Sequence, residues 1–350
     1  MKSKKRILIT PLSWGIGHAT RCVPVINHLL LLGFQPIIAS DGDALSLLRK
    51  EFPNLECIAL PAYNIKYAKK SFFLNLSLFL QVPRLIQVIK KEHVQIEKII
   101  QEKQIKGIIS DNRFGCWSSQ VPSVYITHQV TVLAGMMRFF TSRVHQNIIK
   151  KFDACWIPDD EKMRFSGVLS QGKIKRKYFT GILSRFKLPK QIPEKKYDIL
   201  VLLSGIESQR AQLENQLIKV LLLSEKKILF VRGILSDKEK LKNTNTITFV
   251  NFLLQKELQN AILQSEIVIA RSGYSTIMDL AVLQKKCFFI PTPNQKEQEY
   301  LARRMQKLQI APFCKQGDFS LEKLTELDSY NGFKGSYNAD LEKLLAAQFS

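Results

Sequence analysis

Short apolar runs alternate with segments of helical periodicity along most of the chain. In the first half, the apolar runs predict strands at 6–10, 35–40, 55–60, 107–110, 123–127 and 154–157. Apolar positions spaced three and four residues apart predict helices over 23–32, 44–50, 85–101 and 131–151. This alternation predicts a parallel sheet with helices on both faces.

The same alternation restarts in the second half, after a segment rich in proline and lysine (SRFKLPKQIPEKKYDI, from Ser184) that we interpret as a linker. Strands are predicted at 199–203, 227–231, 246–250, 267–270 and 287–290, and helices at 209–223, 256–264, 275–283 and 296–308. We therefore expect an α/β protein with two doubly wound, Rossmann-like domains, 1–183 and 184–350. Such domains would face each other across a cleft at the carboxyl ends of their strands.

Charge and composition narrow the class of protein. The 350 residues include 52 Lys and Arg against 30 Asp and Glu, a net charge of +22, while 45% are hydrophobic. Hydrophobic content at that level predicts a globular chain, and the charge predicts attraction to anions, whether nucleic acid, lipid headgroups or phosphorylated small molecules. Six scattered cysteines without C-x-x-C spacing favour a reducing compartment, the cytoplasm. No apolar run reaches the roughly 18 residues that a membrane span requires.

The loop after the first predicted strand reads PLSWGIGHATR and permits three interpretations. Gly15 and Gly17 stand between a strand and a helix, where backbone N–H groups can bind the phosphates of a dinucleotide, but Thr20 replaces the third glycine of that motif. The glycines also suit a tight turn without any ligand. In the third interpretation they clear space beside His18, whose place at the positive end of a helix dipole favours a neutral imidazole that can accept a proton.

A second strand–helix loop, ARSGYSTIMD, follows the strand predicted at 267–270. Its N–H groups, its hydroxyls and the guanidinium of Arg271 could converge on a pyrophosphate, with Asp279 one helical turn further on and suited to a ribose diol. Ordinary helix capping explains Ser272 or Ser275 equally well.

Three further features carry weaker signals. His128 follows a strand of the first sheet and is a second candidate base, or a histidine satisfied within its loop. Asp41-Gly42-Asp43 fits a metal-binding D-x-D pattern, but helix capping is the better interpretation, and we expect no metal. Residues 66–91 combine lysines with phenylalanines and leucines, which is typical either of a helix on an anionic membrane surface or of a core helix with a solvated face.

The combination of G-x-G-H-x-x-R, R-S-G-x-S-T-x-x-D and a later Gln-Glu pair resembles the family 28 glycosyltransferases, which have two domains of the GT-B type. The resemblance implies that Gly15, Gly17 and His18 face the acceptor and diphosphate, and that Ser208 lies in a further donor loop. It also implies donor-phosphate contacts for a loop that begins at Arg271. The members of that loop are Arg271, Ser272, Gly273, Ser275 and Thr276. Asp279 would take the place of a ribose-binding glutamate, and Gln298 and Glu299 the place of a glutamine pair that reads the sugar.

We therefore expect a cytoplasmic, inverting, metal-independent sugar transferase with a nucleotide-diphosphate sugar, a UDP-sugar, as co-substrate and no resident cofactor. Its partners would be that sugar, a hydroxyl acceptor of the cell envelope or a lipid carrier, and the inner membrane surface. A UDP-sugar hydrolase that activates water with the same histidine is the alternative. A nucleic-acid-binding protein is less favoured because the chain lacks an aromatic–basic ribbon, a zinc pattern and a recognition helix.

Overall fold

The computed structural model describes residues 4–64, 74–236, 240–335, 337 and 341–349, and these residues form two parallel sheets. In the described part of the chain, the first sheet has seven strands in the order β3-β2-β1-β4-β5-β6-β7. Its strands are β1 (Arg6–Pro11), β2 (Gln35–Ser40), β3 (Cys57–Ala59), β4 (Ile105–Asp111), β5 (Ser123–Ile126), β6 (Ala154–Ile157) and β7 (Lys177–Phe179). The helices beside it are α1 (Gly17–Leu31), α2 (Gly42–Glu51), α3 (Leu74–Lys103) and α4 (Arg138–Ile149).

The second sheet has five strands within the described residues, in the order β10-β9-β8-β11-β12. They are β8 (Tyr197–Leu202), β9 (Ile228–Val231), β10 (Ile247–Val250), β11 (Ser265–Ala270) and β12 (Cys287–Phe289). The helices of this half are α5 (Glu207–Leu221), α6 (Gln255–Leu263), α7 (Tyr274–Val282), α8 (Lys296–Lys307) and α9 (Leu341–Phe349). Every strand pair in both sheets is parallel, so the predicted α/β class with two doubly wound domains is confirmed.

Burial explains why the central strands are uninterrupted apolar runs. Ile7, Leu8 and Ile9 of β1 are all fully buried, because helices cover both faces of the sheet. The helix that follows β1 ends at a glycine: Gly33 has a φ of +80°, its N–H donates to the carbonyl of Leu30, and the N–H of Phe34 donates to the carbonyl of Leu29. This Schellman arrangement turns the chain directly into β2.

Several elements differ from the sequence-based expectation, among them α3, which begins at Leu74 rather than at 85, and α9, which was not predicted. The helix predicted over 131–151 begins only at Arg138, after a loop in which Gly135 has a φ of +57°. The strand predicted at 55–60 is reduced to Cys57–Ala59, and β7, a three-residue edge strand, was not predicted at all. Short edge strands carry too few alternating positions to leave a pattern.

The boundary at 183/184 stays a prediction, but α9, which lies within the range assigned to the second domain, packs against the first sheet. The ring of Phe349 lies so close to Gly107 in β4 that a β-carbon there would be 2.4 Å from it, and the ammonium of Lys5 donates to the carbonyl of Phe349 at 3.0 Å. The end of the chain thus crosses back and ties the two halves together.

Candidate functional site

The two glycines of the first loop serve different purposes. Gly15 has a φ of +78°, a left-handed conformation that favours glycine, and a β-carbon there would meet nothing within 4 Å. Gly17 begins α1, and a β-carbon there would lie 3.2 Å from the hydroxyl oxygen of Ser275. Beside Gly17 the space is therefore filled by a side chain of the second half of the chain, while beside Gly15 it is open.

His18 is oriented by an aspartate that the sequence analysis did not connect with it. Its Nδ1 lies 2.7 Å from Oδ1 of Asp111, while Nε of Arg21 donates to Oδ2 of Asp111 at 2.7 Å and Nη2 of Arg21 donates to Oδ1. Burial would raise the pKa of Asp111, but Arg21 and His18 outweigh it and hold that pKa at about 2. An ionised carboxylate accepts from Nδ1–H, which leaves Nε2 of the 18% exposed His18 as the nitrogen able to accept a proton.

His128, the second candidate base, has both ring nitrogens engaged. Nη1 of Arg21 donates to its Nδ1 at 3.0 Å, and its Nε2 lies 2.7 Å from Oε1 of Glu297. Its ring also stacks on Tyr274, with centroids 4.1 Å apart and planes 2° from parallel. Burial lowers the pKa of His128, although Glu297 opposes the shift. This geometry favours His18 over His128 as a proton acceptor for a substrate.

Arg271 is buried at the carboxyl end of β11, where its guanidinium donates to loops of the second half of the chain. Only 1% of it is exposed; Nη1 donates to the carbonyls of Ile290 and Pro291, and Nη2 to the carbonyl of Gln209 and to Oε1 of Gln316. Burial lowers its pKa to about 10. Its terminal nitrogens thus hold four protein oxygens, and the expected contact between this guanidinium and a diphosphate stays a prediction.

The rest of that loop begins α7 and touches the first domain. Gly273 is the N-cap, and Ser275 and Thr276 lie in the first turn, which contains no acidic residue. The hydroxyl of Ser275 donates to the carbonyl of Gly17 at 2.9 Å, and that of Ser272 donates to the carbonyl of Gln298 at 2.8 Å. The start of α7 thus faces the start of α1.

Asp279 lies one turn further along α7 and holds the linker. It accepts from the hydroxyl of Ser184 at 2.7 Å and from Nε of Arg185 at 3.3 Å, and only 8% of it is exposed. Burial raises its pKa, with Arg185 and Ser184 opposing the shift. Asp279 thus has two protein partners, and the expected ribose contact stays a prediction.

The remaining expected donor residues lie at helix starts. Ser208 is exposed in the first turn of α5, and Gln298 accepts from the N–H of Thr292 at 2.8 Å. Glu299 accepts from the N–H of Asn294 at 3.1 Å and pairs with Lys296 at 3.2 Å. Gln298 and Glu299 therefore hold the loop before α8, while the adjacent Glu297, which the sequence analysis passed over, reaches across to His128.

The first aspartate of the D-x-D pattern, Asp41, forms an ion pair with Arg113. Asp41 occupies the N-cap position of α2 as expected, but its side chain makes no cap hydrogen bond and instead pairs with Nη1 of Arg113 at 2.5 Å. The described residues contain no cluster of three or more His, Cys, Asp or Glu side chains able to hold a metal ion.

The segment proposed to meet a membrane, 66–91, lies partly outside the described residues, which resume at 74 with α3. Among the helices that the structure describes, none combines the length and the apolar character needed to traverse a bilayer.

Comparisons with known proteins agree with this architecture. Residues 199–329 match the model of the glycosyltransferase family 28 C-terminal domain. The chain is 24% identical, over 93% of its length and 89% of the relative's, to the UDP-N-acetylglucosamine–N-acetylmuramyl-(pentapeptide) pyrophosphoryl-undecaprenol N-acetylglucosamine transferase of Buchnera aphidicola subsp. Schizaphis graminum. The enzyme of the same name from Prochlorococcus marinus is 22% identical over 58% of this chain and 56% of its own.

Solved structures share the fold over a similar span. The spinosyn forosaminyltransferase SpnP superposes with a TM-score of 0.62 at 12% identity, covering 93% of this chain and 90% of its own. MurG of Acinetobacter baumannii superposes with a TM-score of 0.53 at 14% identity, over 93% and 90%. The chain therefore has the fold of the GT-B glycosyltransferases, and its second half is similar to the C-terminal domain of glycosyltransferase family 28.

Proposed function

We propose that this enzyme is an inverting glycosyltransferase that moves a sugar from a UDP-sugar to a hydroxyl acceptor, with His18 as general base. The pairing of His18 with Asp111 carries the proposal, because it fixes the tautomer that leaves Nε2 able to accept a proton. The relatives from Buchnera and Prochlorococcus, whose names specify a UDP-sugar donor and an undecaprenol-linked acceptor, support both the donor class and a lipid-linked acceptor.

The reaction would be a single displacement. Nε2 of His18 takes the proton from the acceptor hydroxyl as its oxygen attacks the anomeric carbon of the donor sugar. The bond from that carbon to the diphosphate oxygen breaks, and UDP leaves with the bonding electron pair. Asp111 keeps the imidazole in place and stabilises the positive charge that it acquires.

The diphosphate would lie where the N-termini of α1 and α7 meet. Neither helix has an acidic residue in its first turn, so the partial positive charges of the two helix dipoles face the same space without a compensating carboxylate. With Arg271 occupied elsewhere, we propose that backbone N–H groups and the hydroxyls of Ser275 and Thr276 hold the diphosphate without a metal ion. Binding there would replace the contact between Ser275 and Gly17.

A lipid-linked acceptor requires a surface that meets the membrane, and α4 is suited to it. Phe139 is 82% exposed and Phe140 is 61% exposed, and the exposed Arg138 and Arg143 flank them. Apolar side chains beside cations are typical of helices that lie in the interface of an anionic bilayer. We therefore propose that the enzyme works in the cytoplasm at the inner membrane surface, with α4 rather than residues 66–91 as its described contact.

The test compares wild type and His18→Ala with UDP-N-acetylglucosamine as donor. Wild type should release UDP rapidly only when a lipid-linked hydroxyl acceptor is present, while His18→Ala should lose roughly 10²–10⁴-fold in kcat and bind UDP with nearly unchanged affinity. Rapid release of free sugar by wild type without an acceptor would identify a hydrolase instead. Full activity of His18→Ala would contradict the assignment of the base.

A further inference from the structure

We propose that Glu297 is a positioning residue of the second domain that couples domain closure to His18, acting through His128 and Arg21. The proposal extends the function proposed above, since it assumes that His18 accepts the proton. Glu297 is the second residue of α8, and His128 lies 169 positions earlier in the chain, beyond the end of β5. Their 2.7 Å contact therefore exists only when the two halves of the molecule are together.

The hydrogen bonds fix the state of the His128 ring. Arginine can only donate, so its 3.0 Å contact favours an unprotonated Nδ1 on His128; among the described contacts this nitrogen, unlike Nδ1 of His18, has no carboxylate to accept a proton from it. The proton is then on Nε2 and is donated to the carboxylate of Glu297. Tyr274, the first residue of α7, stacks flat on the same ring. Two elements of the second domain, α7 and α8, thus set the orientation of a histidine that belongs to the first.

Arg21 carries this orientation to the candidate base. Its side chain is only 1% exposed, and its planar guanidinium uses Nε and Nη2 for Asp111 and Nη1 for His128. Nη2 also lies 3.0 Å from Nδ1 of His18, but both nitrogens donate to Oδ1 of Asp111, so this approach is not itself a hydrogen bond. Because a guanidinium is planar and rigid, losing the acceptor at Nη1 also changes the positions of Nε and Nη2 relative to Asp111. A His128 ring released by Glu297 would therefore disturb the carboxylate that orients His18.

The charges point in the same direction. The positive charge of Arg21 offsets the negative charge of Asp111. When His18 and His128 are neutral, the carboxylate of Glu297 therefore gives this group of five side chains one net negative charge. That charge favours the proton that His18 receives during the reaction. An open molecule would keep His18 and Asp111 but lose this contribution, and transfer would be fast only in the closed form.

The test compares Glu297→Ala, His128→Asn and the double variant, with Glu297→Gln as a milder change. The matched control is Glu225→Gln, which replaces an exposed carboxylate of the second domain. We expect Glu297→Ala to lower kcat at least tenfold with less than a threefold change in KM for the UDP-sugar, and the double variant to be no slower than the worse single variant. Glu225→Gln should behave as wild type. Effects of the two single changes that multiply in the double variant would overturn the proposal.

Nuclear magnetic resonance of ¹⁵N-labelled histidine gives a readout that needs no turnover. Wild type should show His128 with its proton on Nε2, and Glu297→Ala should change both this signature and the ring resonances of His18, although residue 297 makes no direct hydrogen bond to His18 among the described contacts. Unchanged His18 resonances would overturn the coupling even if the protein transferred no sugar. A wild-type enzyme without transfer activity, but with these resonance changes, would contradict the proposed function alone.

Discussion

The hydroxyl of Ser275 donates a hydrogen bond to the carbonyl of Gly17 across the cleft, at 2.9 Å, and joins the first turns of two helices that belong to different domains. A β-carbon on Gly17 would lie 3.2 Å from that same hydroxyl oxygen, so the close approach depends on glycine. The two sequence motifs that resemble family 28, one in each domain, are therefore in direct contact. A donor diphosphate that bound at these helix starts would have to displace this contact.

Gly17→Ala should strain this contact without straining the backbone of Gly17. The added β-carbon pushes Ser275 away by a few tenths of an ångström, and we expect a loss of about 1 kcal/mol in the free energy of unfolding. Thermal or denaturant unfolding measures it. Ser275→Ala removes the atom that is struck, so the double variant should be more stable than the sum of the two single changes predicts. Simple additivity would show that the two residues do not meet in solution.

Replacing Arg271 should affect folding more than nucleotide binding. Lysine in its place offers one ammonium where the guanidinium holds four oxygens, and buried carbonyls would lose their donors. We expect Arg271→Lys to lower the free energy of unfolding by roughly 2–4 kcal/mol. Calorimetric titration with UDP supplies the contrast: a large loss of affinity in a variant of nearly wild-type stability would restore the diphosphate contact expected from the family resemblance.

Membrane contact through α4 can be tested without an acceptor. Each exposed phenylalanine would bury apolar surface worth about 1.5–3 kcal/mol in the bilayer interface. Phe139→Glu combined with Phe140→Glu should therefore weaken binding to vesicles that contain anionic lipid by more than tenfold, measured by co-sedimentation. Leu223→Glu, at an 85% exposed position of the second domain, is the control and should bind as wild type does. Equal binding by the double variant would place the membrane contact elsewhere.

Hydrophobic patterning predicted the fold because it depends on local spacing. The central parts of β1 and β11, Ile7–Ile9 and Val268–Ala270, are buried and appear as continuous apolar runs. The edge strand β7 and the late start of α4 did not appear in the pattern. Their positions depend on neighbours in space: β7 pairs with β6, and Ser142 of α4 accepts from the N–H of Val132 in the preceding loop.

The candidate site was less predictable, because its partners lie far apart in the chain. His18 could be recognised from its loop, but Asp111 is 93 positions away and is placed beside it by the pairing of β1 with β4. A carboxylate at the carboxyl end of a strand was the available signal. The residue types of Arg271 and Asp279 suited contacts with a ligand. In the structure, however, both side chains form hydrogen bonds with other protein groups, and the local sequence does not indicate these partners.

His145 should make the folded protein sensitive to acid. It lies in α4, only 8% exposed, with Nε2 2.9 Å from the hydroxyl of Tyr125, and burial lowers its pKa from 6.5 to about 4. In the unfolded chain this imidazole takes up a proton near pH 6.5, whereas the folded protein does not until about pH 4. The unfolded state therefore binds more protons in this window, so the stability contributed by neutral His145 is complete above pH 6.5 and is lost as the pH falls towards 4. The difference in pKa corresponds to about 3 kcal/mol.

Urea unfolding of wild type and His145→Gln at pH 7.5 and pH 4.5 isolates this contribution, because glutamine can still donate to Tyr125 but does not titrate. We expect wild type to lose more stability than the variant between the two pH values, and equal losses would show that His145 is protonated in the folded protein.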